Sequence, residues 1–280
     1  MKLIRSVLVH LDGTPSNVSR LEFAREVAQH HEAALSVMFV ASPPRHPLTL
    51  AFSESPAALL QPIDPAALNL ARSVFDITAA SGGLPMRWLD NAGADPVEAF
   101  RDQALYADLL VLGQCDPAAP SPGSMPPGFV ESVLIGTGKP ALILPLTGRF
   151  EAAGRDVLIG WNKTPQAARA LTAALPWLHC ARRVHVLEVT KEPAQHPTGE
   201  LDIAQYLQLH GIESALHRHR APPAPVPGNA GELLLSLAHE VGADLLVMGC
   251  YGHNQAREFM LGGASRSVLQ TMTLPVLMAH

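Results

Sequence analysis

The sequence predicts an α/β protein built from two similar domains, each a parallel sheet with helices on both faces. Three observations carry that prediction. At 280 residues the chain has room for two domains of about 150 residues each, large enough to bury separate cores. Residues 107–113 (ADLLVLG) recur as residues 243–249 (ADLLVMG), so the second domain repeats the first. Short Val/Leu/Ile runs alternate with amphipathic stretches throughout, which is the pattern of crossover-linked parallel strands rather than hairpins.

Taken in order, the first copy opens with a strand near 5–11. Its segment Val7 to Asp12 (VLVHLD) matches Val157 to Asn162 (VLIGWN) in the second copy. Each is followed by Thr-Pro (Thr14-Pro15 and Thr164-Pro165), a helix N-cap and a first helical residue. Further strands are predicted near 34–41, 85–90, 108–113 and 140–145, and then near 155–161, 183–190, 213–219, 244–249 and 275–279. Helices are predicted to begin at Asp64-Pro65 and Asp95-Pro96, the latter with Glu98 at the capping-box position. Residues 127–145 align with 262–280 without a gap. The segment 146–154 reads as the linker, which gives domains 1–148 and 154–280. Three proline-rich stretches, 42–65, 116–127 and 221–227, read as surface loops, with 42–65 alternatively a lid or a partner contact.

Composition excludes several classes. Apolar residues make up 48% and charged residues 16%, with a net charge of −5, so nothing favours nucleic acid or a membrane surface. No apolar run approaches the ~20 residues a spanning helix needs. Three dispersed cysteines, Cys115, Cys180 and Cys250, form no CxxC pair, which fits a reducing compartment. The start MKLIRSVLVHLDG reads as a first strand rather than a signal peptide, so a cytoplasmic protein is expected.

The two copies diverge after the shared strand. In the second, Gly249 and Gly252 are followed, nine residues on, by Gly262-Gly263 and then Ser265. Glycines at the carboxyl end of a parallel strand let the backbone turn tightly and approach a ligand closely. An amphipathic run from Ala264 to Met272 then offers the free N–H groups of a helix start to an anion. In the first copy the aligned positions are Asp116, Pro127, Gly128 and Val130. There a carboxylate, a missing N–H and an apolar side chain replace the cradle.

The arrangement strand–Gly–x2–Gly–x9–Gly followed by Ser resembles the adenine-nucleotide motif of the universal stress protein family. The stretch YGHNQAREFMLGGASRSVLQTMTLPVLMAH looks like the C-terminus of its two-domain bacterial members, and the resemblance covers the chain in two copies. It implies Rossmann-like domains of the adenine nucleotide alpha-hydrolase-like kind, each five-stranded in the order 3-2-1-4-5. In tandem members the halves pack as an intrachain pseudo-dimer through their last strands, here 140–145 and 275–279; a homodimer of chains is left open. The family's phosphate contacts fall on Gly252, Gly262, Gly263 (through its backbone) and Ser265, after the turn at Gly249. Its acidic nucleoside contact falls on Asp12 in the first copy and on Asn162 in the second, and the end of the second strand, Val186 to Val189, would offer backbone groups to a base.

The function so implied is a stress-response or regulatory protein that takes ATP or a related adenine nucleotide in its C-terminal domain. Magnesium would enter only with the nucleotide, and no catalytic residue is assigned. The alternatives are a slow nucleotide hydrolase on the same site, or a non-nucleotide interaction scaffold. His31-Glu32 and His239-Glu240 lack the second histidine of a zinc-protease helix. His217 and His219 lie two apart on one face of a strand, read as solvated or partner-facing, with a ligand pair as the alternative. Gly136-Thr-Gly-Lys139 lacks the rest of a phosphate loop and reads as a helix exit.

Overall fold

A computed structural model describes residues 4–42, 64–90, 95–116, 123–148, 150, 153–190, 201–220, 229–250 and 263–280. They fall into two compact units: Met1–Lys139 with Leu146–Arg149, and Pro140–Pro145 with Phe150–His280.

The first unit runs β1 (Ser6–Leu11), α1 (Asn17–His31), β2 (Ala34–Phe39), α2 (Pro65–Ala80), β3 (Met86–Leu89), α3 (Pro96–Ala104), β4 (Leu109–Gly113) and α4 (Phe129–Thr137). Its strands are parallel in the order β3-β2-β1-β4. Val7, Val9 and Leu11 on one face of β1 are inaccessible, and Leu8 on the other is 2% exposed. That two-sided burial is why these strands read as unbroken apolar runs.

The second unit begins with β5 (Ala141–Leu144) and continues β6 (Asp156–Trp161), α5 (Pro165–Leu178), β7 (Arg183–Thr190), α6 (Ile203–Leu209), β8 (Ala215–Arg220), α7 (Asn229–Val241), β9 (Leu245–Gly249), α8 (Gly263–Thr271) and β10 (Val276–Ala279). Its order is β5-β10-β9-β6-β7-β8. The repeat's own five strands are parallel and follow the predicted 3-2-1-4-5 order. Strand β5 runs antiparallel to β10, with Ile143 opposite Val276 and Leu142 opposite Leu277, so 140–145 is grouped with the second unit rather than with 1–148.

The repeated Ala-Asp pair has a physical job. Asp108 accepts from the amides of Arg5 and Ser6 at 2.8 and 3.0 Å, and Asp244 accepts from Gly154, Arg155 and Asp156 at 2.9–3.1 Å. In each copy the carboxylate at the foot of the fourth strand satisfies the free amides leading into the first. Capping follows the sequence at Asp64 and Asp95, whose carboxylates accept from Ala66 and from Val97 and Glu98. Thr164 likewise accepts from Ala167 and starts α5 as predicted.

The first copy departs at Thr14. Helix α1 starts at Asn17 rather than Pro15, and its N-cap Ser16 makes no side-chain cap bond. The Thr14 hydroxyl donates to Asp12 Oδ1 at 2.5 Å. Gly138, left-handed at φ 63°, closes α4 before β5, as expected for a helix exit. No helix among the described residues is long and apolar enough to cross a membrane.

Candidate functional site

In the second unit β6 and β9 are neighbours, yet β6 leads to β7 on one side and β9 to β10 on the other. Their carboxyl ends therefore mark the switch point at which open parallel sheets bind ligands. Asn162 follows β6, with an exposed side chain whose Oδ1 accepts from the Thr164 hydroxyl at 2.7 Å. Gly249 ends β9. A Cβ there would sit against the Ala167 nitrogen and 2.6 Å from the Gln166 carbonyl carbon, so glycine is required for the first turn of α5 to lie against the strand end.

Of the remaining predicted residues, Gly263 is the first of α8 and exposed, with open space where a Cβ would stand. Ser265 is 4% exposed on α8, and its first-copy counterpart Val130 is 2% exposed on α4. The position faces the core in both copies, so a phosphate contact from Ser265 requires the ligand to reach the inner side of the helix. Gly252 and Gly262 lie outside the described residues. The structure thus brings Asn162 and Gly249 to one end of two adjacent strands and Gly263 to the start of the last helix.

Sequence reasoning passed over Glu188. It is 3% exposed near the end of β7, with Oε1 3.9 Å from Lys163 Nζ and Oε2 3.3 Å from Arg218 Nε. Lys163, beside Asn162, holds φ 54°, a left-handed conformation that a non-glycine residue adopts only at some cost. The register set Glu188 opposite Arg218, which makes the pair readable only once the strands are paired.

The first unit holds a different constellation at the equivalent strand ends. Asp12 and Arg20 are each 2% exposed, with Arg20 Nη1 3.7 Å from Asp12 Oδ2. Arg20 Nη1 also donates to the His10 carbonyl at 3.0 Å and to His10 Nδ1 at 3.2 Å, and Nη2 donates to Ser16 Oγ at 2.9 Å. Because Nδ1 accepts, the proton sits on Nε2, which donates to the Val40 carbonyl at 2.7 Å. The guanidinium stands where a side chain on Gly113 would be: an added Cβ would lie 2.5 Å from Arg20 Cζ.

Electrostatics follow from that packing. Burial, then the adjacent Arg20 charge, lowers the His10 pKa to about 4, so the imidazole is neutral. Burial alone would raise the Asp12 pKa, but Arg20 and the bonds from Thr14 outweigh it and hold the group below the ordinary carboxylate value. The signal for Arg20 was present in the sequence: it shares the stripe 20-24-27-31 of α1 with Ala24, Val27 and His31, all buried. An arginine on an apolar stripe needs a buried partner, and Asp12 is that partner.

Residues 154–280 match the family model described as the universal stress protein family. Solved structures similar to the whole chain include a universal stress protein from Archaeoglobus fulgidus DSM 4304. It is 18% identical, covers 97% of each chain and has a TM-score of 0.66. A functionally unknown protein from Pseudomonas aeruginosa PAO1 is 17% identical, covers 99% of this chain and 92% of its own, and has a TM-score of 0.59. No curated protein matches the sequence. At these identities the structural likeness speaks to the fold, and the family match to the second copy. Residues 154–280 belong to the universal stress protein family, and the chain as a whole shares the fold of a structure so described.

Proposed function

We propose that the second unit binds an adenine nucleotide, ATP or a close relative, and that the protein acts as a stress-response regulator rather than as a catalyst. The observation that carries this reading is that β6 and β9 end side by side at the switch point of the sheet. Gly249 has no side chain, α5 begins directly against it, and the exposed Asn162 amide lies at the end of the adjacent strand. These groups suit the ligand. Asn162 offers both a donor and an acceptor to a ribose or base edge. Gly263 is exposed at the start of α8, and the free amides of a helix start suit a phosphate oxygen. A bound nucleotide would supply the negative charge that this helix start favours.

The hydrolase alternative gains nothing at Asn162. An amide there cannot supply the anionic metal contact that phosphoryl transfer commonly uses. The test is calorimetric titration of the full chain with ATP, beside a Gly262→Asp variant that places a carboxylate in the predicted phosphate loop. Saturable binding weakened by more than about tenfold in the variant is expected. Equal binding by both proteins, or binding by neither, removes the proposal.

A further inference from the structure

We propose that the outer face of α3 and α4 in the first unit is a docking surface for a partner protein, and that the segment it takes is apolar and carries a carboxylate. The ground is Arg101 on α3. Its guanidinium occupies the space that a side chain on Gly136 of α4 would need, with Cζ 2.6 Å from the ideal Cβ position. Its Nε is shielded from water and donates to nothing, and among the described residues the side chain makes no ion pair. Glu98 and Asp102, on the same helix, are exposed and do not pair with it.

Apolar side chains stand open around that cation. Leu105 follows Arg101 by one helical turn and is 52% exposed, Tyr106 beside it is 81% exposed, and Ile135, next to Gly136, is 41% exposed. The amides of Tyr106 and Ala107 donate to the Gln103 and Ala104 carbonyls at 3.1 Å, so the turn continues and Leu105 keeps the helical line of Arg101. An arginine held against a glycine, among open leucine, isoleucine and tyrosine, has the composition of an interface centre.

The repeat supplies an internal comparison. His10 packs edge-on against Phe100, 6.0 Å between ring centroids, and a Cβ on its counterpart Gly160 would stand 2.9 Å from Leu234. Phe100 therefore corresponds to Leu234, and Arg101 to the half-buried Leu235. At the positions of Leu105, Tyr106 and Ile135 the second copy has His239, Glu240 and Gln270, all exposed. The second copy sets an apolar residue inside a polar rim, and the first copy does the reverse. The fold builds the same helix pair both ways, so it demands neither the cation nor its apolar surround.

Charge decides the occupant. A carboxylate matches the fork of a guanidinium with two oxygens, and closing an apolar segment over the rim excludes the water that would weaken the pair. A guanidinium already packed against Gly136 loses little freedom when it is bound. A wholly apolar partner would bury Arg101 without a counterion, which desolvation disfavours. Free phosphate would leave the apolar rim uncovered.

The experiment selects short random peptides displayed on phage against the immobilised full chain, then titrates the enriched peptides, synthesised with a fluorophore, by anisotropy at about 0.15 M salt. Enriched sequences should place Asp or Glu beside Leu, Phe or Trp. Their affinity should fall about tenfold or more in Arg101→Leu, which installs the residue type of the second copy, and in Tyr106→Glu. Replacing the peptide's acid by its amide should weaken binding similarly, and that arm is free of any folding defect in the variants. Three results overturn the proposal: no enrichment of acidic peptides, equal binding by Arg101→Leu, or sedimentation showing self-association that Tyr106→Glu abolishes, which would make the occupant a second copy of the chain.

Discussion

Replacing Gly249 by alanine tests the geometry on which the second-unit site rests. The added methyl would stand 2.6 Å from the Gln166 carbonyl carbon and hard against the Ala167 nitrogen, both main-chain atoms of the start of α5. Ordinary contact begins near 3.4 Å, so the helix start must retreat by about 0.8 Å, and no rotamer change can relieve it. Helix α5 buries Ala167, Ala170, Leu171, Ala174, Leu175, Trp177 and Leu178, so a retreat also loosens its packing. Overpacking of this kind costs about 1–3 kcal/mol, and loss of packing along α5 adds to it, giving about 2–4 kcal/mol. The control is Gly263→Ala, where the methyl meets nothing and alanine favours the helix by up to about 1 kcal/mol. Urea unfolding followed by circular dichroism measures both. If Gly249→Ala stays within about 0.5 kcal/mol of the parent, the close approach of β9 and α5 is wrong.

Further outcomes follow from single groups. His10, with a pKa of about 4 folded and 6.5 unfolded, stays neutral while the unfolded chain takes up a proton. Its contribution is therefore complete above about pH 6.5 and is lost as pH falls toward 4, by up to about 3 kcal/mol. Denaturation midpoints between pH 7 and 4 should show that slope in the parent and lose most of it in His10→Gln. Asp156 lies at about 2, chiefly through hydrogen bonds from Arg183 and then Arg182, so it stabilises above about pH 3.8 and stops doing so as pH falls toward 2. Because those arginines are 51% and 64% exposed, Asp156→Asn should cost only about 1 kcal/mol at pH 7, with the difference vanishing near pH 2 by thermal melts. Thr164→Ala removes the α5 cap and should cost about 1 kcal/mol in the same unfolding assay.

Most of the fold was legible because each copy states it locally. The ten strands emerged within two residues of their predicted ends, since uninterrupted Val/Leu/Ile runs have little else to form. Asp64-Pro65, Asp95-Pro96 and Thr164-Pro165 opened helices as read. Thr14-Pro15 did not: α1 begins at Asn17, with Ser16 at its N-cap. The site was legible only in part. Gly249 and Asn162 could be set at strand ends from the repeat alone. The Glu188–Arg218 pair depended on strand register, and the Arg20–His10 contact on how α1 lies over β1, neither of which a single segment declares.

The central asymmetry between the copies is the exposed Asn162 beside Gly249 in one and the buried Asp12–Arg20–His10 cluster beside Gly113 in the other. It is tested most directly by denaturing freshly purified protein and identifying released nucleotide by mass spectrometry. Adenine nucleotide is expected at up to about one equivalent per chain, absent from Gly262→Asp and unaffected by Arg20→Ala. Two equivalents, or nucleotide retained by Gly262→Asp and lost from Arg20→Ala, would contradict it.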